Sequence, residues 1–424
     1  MSASPRLHHA LFCVHCFLLV AFTPPVISGD VPDHYRLQFG LDLTRTDGSA
    51  AAHISVAQNS QLLHEVRLRA PIDLYTEFSG DGEISRENDI VVWRPPSRGG
   101  RIQYIARIDH ARDDGDFDAL VTADWSLFRG DDVFPPAAIR QRAGARASSE
   151  FSANLPADWT IVTPFAENGD GRLLIDNPER IFDRPVGWII AGRLGVRRDL
   201  IAGMEISVAG PTGAGIQRIG MLALLRWTLP LMAAEVDSLP PRLSIVSAGE
   251  PMWRGGLSAP RSLYIHAQRP LLSENGTSSL LHEVAHVLMP IPSADQHDWI
   301  DEGIAEFASL EILRRSGTIS QERFQASIGT FVRRGQRIDN MTTTHASGAV
   351  TARAVAIFHA VDKELRALTD GRSDIFDLIR HLMQSQEAVG LTELRLMAAE
   401  LAGGQPLTAL DDRHVPGYEA QTLR

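Results

Sequence analysis

The chain has 424 residues, enough for one to three domains with a sizeable core, and its 44% hydrophobic and 22% charged content is ordinary for a soluble globular protein. A formal net charge of −11 argues against nucleic acid as a partner, because phosphate binding is driven by clustered lysine and arginine. The only two cysteines, Cys13 and Cys16, sit near the N-terminus, so the rest of the chain has no thiol for a disulfide, a zinc site or a nucleophile. Any metal must be held by histidine and carboxylates.

The first element reads as an export signal over residues 1–28. Arg6 supplies the positive region, and Ala10 to Phe22 forms an apolar run that stops at Thr23-Pro24-Pro25. A transmembrane span would need about 20 apolar residues. Val26 and Ser28 offer small side chains for cleavage before Gly29. The expected location is therefore periplasmic or secreted, with membrane contact only if this segment stays uncleaved.

From Tyr35 to Ile201 the pattern is β-like. Tyr35–Leu41 and Ile102–Ile108 alternate apolar and polar side chains, and turn signals follow at Ser79–Gly82, Pro95-Pro96 and Asn168–Gly171. The expected unit is an antiparallel β domain over residues 29–201. Strands at Met204–Val208, Arg242–Val246 and Ser262–His266 flank a helix at Ile219–Val236. After Thr277 helix-period segments dominate to about Leu401, with Gly317, Gly371 and Gly390 as stops. The second unit, residues 202–402, thus passes from α/β to all-α, and 403–424 is a weakly patterned tail. The whole is an α+β chain.

His282-Glu283-Val284-Ala285-His286 carries the chemistry. Residues four apart share one helix face, so both imidazoles reach one ion, and Glu283 stands beside them to take a proton from the attacking water. Ser278 or Ser279 caps this helix, and Pro290 and Pro292 end it. Downstream, Trp299-Ile-Asp-Glu-Gly-Ile-Ala-Glu-Phe307 opens a second helix. Glu302 is the natural third ligand, completing the two-histidine, one-glutamate set of catalytic zinc with one position open. Glu306, one turn on, is placed to accept the second N–H of a ligating histidine. A chance pair of core histidines and a solvated glutamate is the bland alternative, and the clustering of these residues weighs against it.

HEVAH followed by WIDEGIAEF resembles the gluzincin metallopeptidases, particularly the glycyl-aminopeptidase-like family and more distantly the aminopeptidase N family. The interval from His286 to Glu302 is shorter than is usual in the latter. The similarity runs along most of the chain, including Asp124–Pro135 in the β-rich half. It implies a thermolysin-like catalytic domain after the β domain, one zinc ion, and peptide-bond hydrolysis in which Glu283 is the general base. It also places a substrate-binding strand at Gly255, Gly256, Leu257 and Ser258.

Two positions depart from the family. Its strand glutamate, which binds the substrate's free amine, is replaced by Ser258, which cannot make a charge-assisted hydrogen bond. Cleavage within a chain is then as open as removal of N-terminal residues, with Glu250 a candidate substitute for the glutamate. The family's oxyanion-donating tyrosine aligns with His345, which can donate the same bond. A rival expectation is a zinc-binding but inactive relative serving as a scaffold; the intact Glu283 opposes it. One of His297, Asp298 and Asp301, close to Glu302, could be a ligand or stand behind one, though they read first as solvated loop residues; His359 and His381 read as hydrogen-bonded or exposed, and Gly213–Gly215 as a turn.

Overall fold

The computed structural model describes residues 33–176 and 182–418, so the expected export signal lies outside the described residues. Three sheets occupy the first half. The largest has seven strands and carries His34–Asp42 at its centre, where Tyr35, Leu37, Phe39 and Leu41 alternate into the core as the period-two pattern requires. Among the described pairings this sheet is antiparallel except for one, since His34–Asp42 runs parallel to Arg146–Asn154. A four-stranded sheet shares the same core through Val66, Leu68, Val91 and Trp93.

The second half opens on a five-stranded mixed sheet and passes into helices. The turn at 202–203, where the sequence suggests a boundary, is a hairpin inside this sheet. Leu194–Ile201 pairs along its full length with Met204–Pro211. Ala202 and Gly203 both have positive φ, 51° and 83°, as a two-residue turn with the twist of its strands demands. Strands Met204–Pro211, Arg242–Val246 and Ser262–Ile265 run parallel, and Gly256–Ala259 closes the sheet as an antiparallel edge.

Helices Arg218–Ala233, Ser279–Leu288, Trp299–Arg315, Gln321–Gly335, Gly348–Leu368, Ile375–Met383 and Leu391–Leu401 follow the predicted α-rich half. Gly317 and Gly371 terminate helices at positive φ, whereas Gly390 starts one, as the N-cap of Leu391–Leu401. Arg315 ties three segments together through Glu311, Glu235 and Asp374.

The β half positions the edge strand. A core of Leu127, Trp188, Ile190, Val246, Ala259 and Tyr264 joins the two halves. The Trp188 backbone N–H donates to Ser262 Oγ at 2.8 Å, and its indole donates to the Leu257 carbonyl at 2.9 Å. No described helix is long and apolar enough to cross a membrane.

Candidate active site

Two helices build the candidate metal centre. Ser278 caps the first, its hydroxyl accepting the Leu281 N–H at 3.4 Å, and the helix ends at Leu288 ahead of Pro290. Its apolar face, Leu281, Val284, Ala285 and Leu288, is buried in the core, which turns His282 and His286 toward the second helix, Trp299–Arg315. That helix in turn is clamped from behind. Gly303 lets the helix Gly348–Leu368 approach so closely that a methyl there would stand 2.5 Å from the Ala354 Cβ.

The expected ligands converge. The Nε2 atoms of His282 and His286 are 3.1 Å apart, and the Glu302 carboxylate oxygens lie 3.5 and 3.3 Å from them. One ligand atom from each residue falls within 4.8 Å of the other two, a span that one ion can bridge. Each histidine is also held from behind. His282 Nδ1 is 2.9 Å from Glu306 Oε2, an ionic contact not aligned as a hydrogen bond. His286 Nδ1 is 3.0 Å from Asp301 Oδ2, while Asp301 Oδ1 accepts the Ile291 N–H at 3.4 Å. Both Nδ1 atoms are thereby engaged and both Nε2 atoms are left to face Glu302. Two imidazole nitrogens, one carboxylate and carboxylates behind the rings form a donor set that fits zinc.

The electrostatics follow from burial and proximity. Burial opposes ionisation of Glu302, but hydrogen bonds and charge from His282 and His286 overcome it and hold its carboxyl at about 2. Burial also opposes protonation of His286, yet Asp301 and Glu302 raise it to about 9. His282 is lifted well above the usual imidazole value by Glu302 and Glu306, again against burial.

Glu283 is buried at 7% exposure and pressed against the edge strand. A Cβ on Gly256 would stand 2.7 Å from its Oε1, so a larger residue there would have to displace the Glu283 side chain. Burial lifts the Glu283 carboxyl above its ordinary value; the charges of His282 and His286 and the backbone N–H of Ser258 pull it down, and Glu302 pushes it up. The Gly255 carbonyl accepts from His266 N–H, so by the alternation of an antiparallel pair Gly256 and Ser258 turn their backbone groups to the open edge.

A cleft of about 490 Å³ runs past these groups, lined by Gly256, Leu257, His282, Glu283, Glu302 and Glu306 and closed opposite by Phe331, Ala346, Ser347 and Gly348. Gly255 and Ser258 flank the lining residues of the strand without lining the cleft themselves. His345 is not brought in. It is exposed, bonded to Thr343 through its own backbone, and its three successors line the cleft in its place. Glu250 is also elsewhere, paired with Arg254. Of the three residues that the sequence leaves between a solvated loop and a place at the metal, Asp301 is the one that stands against a histidine, at His286 Nδ1. Asp298 likewise has a fixed partner, accepting the Ala346 N–H at 2.6 Å and so tying the cleft's far wall to the second helix. His359 lies between the rings of Phe307 and Phe324, and His381 is exposed.

No family model matches the sequence, and no curated protein matches it. Solved structures do. An aminopeptidase N family protein from Idiomarina loihiensis superposes with a TM-score of 0.62 at 13% identity, covering 90% of this chain and 74% of that one. An M1 zinc metallopeptidase from Deinococcus radiodurans gives 0.59 at 15% identity, covering 92% of this chain and 94% of that one. The fold is therefore that of the aminopeptidase N-like gluzincins, with an N-terminal set of β sheets followed by a mixed sheet and helices.

Proposed function

We propose that the chain is a zinc-dependent peptidase acting on peptide or protein substrates. The observation that carries this is the convergence of His282, His286 and Glu302 beside a buried Glu283 that abuts an open β edge. Zinc, when bound by those three residues, supplies Lewis acidity to the scissile carbonyl and to water. Glu283 accepts the proton of the attacking water as its oxygen adds to the carbonyl carbon, and passes that proton to the amine as the C–N bond breaks. Its lifted pKa suits both halves of that transfer. Asp301 and Glu306 keep the imidazoles aimed. Gly256 offers backbone groups to an extended substrate, which would add as a further strand.

The rival reading, a metal-binding scaffold, draws on Ser258 and on the exposed His345. Glu283 opposes it, since holding zinc does not call for a carboxylate at that position. Export through residues 1–28 belongs to the same proposal, and N-terminal sequencing of the secreted protein tests it. For the activity, a mixed peptide library is incubated with the protein before and after chelation. Cleavage that stops on chelation and returns with stoichiometric zinc supports the peptidase; cleavage indifferent to zinc contradicts it.

A further inference from the structure

We propose that the cleft selects peptides bearing a carboxylate near the scissile bond, and that Arg269 and Arg334 recognise it. This rests on the peptidase reading above. Five charged side chains line the cleft: Glu283, Glu302, Glu306, Arg269 and Arg334. The three glutamates are committed to the metal centre, two of them through contacts to the histidines and Glu283 against Gly256. The two guanidinium groups are not committed to anything. Among the described residues neither forms an ion pair or a side-chain hydrogen bond. Other arginines around the cleft differ: Arg323 binds the carbonyls of Ser273 and Glu274, and Arg254 binds Glu250.

Their placement is set by the fold. Ser327, Thr330, Phe331 and Arg334 line the cleft at positions i, i+3, i+4 and i+7 of the helix Gln321–Gly335, so one face of that helix is the cleft wall and Arg334 ends it. The Arg334 Nη2 stands 3.5 Å from where a Cβ on Gly348 would be, over the backbone of the far wall. Arg269 lines the same cleft from the turn after the strand Ser262–Ile265.

Charge complementarity names the ligand. A planar guanidinium binds carboxylate through paired N–H donors, and a carboxylate entering this cleft would otherwise meet three glutamates. A substrate ammonium finds no uncommitted carboxylate among the lining residues, and Ser258 offers it no charge. Aspartate and glutamate side chains and a terminal α-carboxylate share the required chemistry.

The test uses zinc-loaded full-length protein and a peptide series with Asp or Glu exchanged for Asn or Gln at each position around the cleaved bond, with free or amidated C-termini. kcat/KM is measured for each, and binding of the same peptides to Glu283→Gln protein is measured by calorimetry. Acidic over amide peptides are expected to be preferred about 2- to 10-fold, the size of one or two exposed ion pairs. That ratio falls toward one in Arg334→Gln and Arg269→Gln, and shrinks with added salt. The free and amidated arms show which carboxylate is read. Equal treatment of acid and amide, a preference for basic residues, or a preference surviving both substitutions overturns the proposal. If no peptide is cleaved, the peptidase reading fails on its own, and the binding arm still decides this one.

Discussion

The metal cradle and the far wall of the cleft are built by different rules. In the cradle every functional group has at least two partners: His286 meets Asp301 and Glu302, His282 meets Glu302 and Glu306, and Glu283 meets Gly256 and Ser258. The stretch from Thr343 to Gly348 is held by backbone bonds of Thr343 to Gln296 and Asp298 and by the Ala346 N–H donating to Asp298, with His345 exposed. The cradle is fixed side chain to side chain, the wall chiefly through its backbone. The groups of the proposed chemistry sit on packed helices, while the cleft around them is lined by the edge strand, one face of the helix Gln321–Gly335 and the loop before Gly348.

Removing a ligand should break the cradle most severely. Glu302→Ala takes away one of three donors and should abolish stoichiometric zinc, with activity falling to background; metal analysis after gel filtration checks it. Retention of full zinc would mean that another carboxylate is the third ligand. Asp301→Asn removes the charge behind His286 and should weaken zinc binding by about 10- to 100-fold, measured by competition with a chelator. An unchanged affinity would return Asp301 to the role of a helix-start carboxylate.

Protons compete with the metal at the same atoms. In the metal-free protein His286 is raised to about 9 and Glu302 is lowered to about 2, so near neutral pH the histidine holds a proton while the glutamate is already ionised. Zinc must displace the histidine proton. Apparent affinity should therefore rise with pH up to about 9, with protons released on binding, as calorimetry in buffers of different ionisation enthalpy would show. Affinity that falls or stays flat from the usual imidazole pKa of about 6.5 up to about 9 would contradict this. The smallest effect is expected on the wall. His345→Ala should change kcat/KM less than about threefold, since removing an oxyanion donor would cost about a hundredfold or more. A loss of that larger size would bring His345 back into the site.

The same contrast explains what could be read from the sequence. The metal helix was legible because its chemistry is a local spacing, His282 to His286, with a cap at Ser278 and prolines beyond. Glu302 followed from the ligand set that the two histidines leave incomplete, and Glu306 from one helix period beyond it. Asp301 was legible only as one of three neighbours of Glu302 that could serve the metal, since a charged residue there also suits a solvated loop, and only the angle between two helices turns it to His286. His345 itself stands outside the lining while the three residues after it line the cleft, a shift that a short alignment does not resolve. The tail was unreadable for a further reason. Its packing depends on single distant contacts, such as Tyr418 accepting the Trp299 indole N–H at 2.9 Å, with Val415 wholly buried. Such contacts leave no period in the sequence.

The central claim is that Glu283 is a base beside a zinc site, and Glu283→Gln tests it directly. Zinc content and peptide hydrolysis are measured together in the wild-type protein and the variant. One zinc in both proteins, with kcat lowered about 100- to 10,000-fold in the variant, is the predicted result. Zinc in both with no cleavage by either would favour the scaffold, and wild-type protein without stoichiometric zinc would contradict the account.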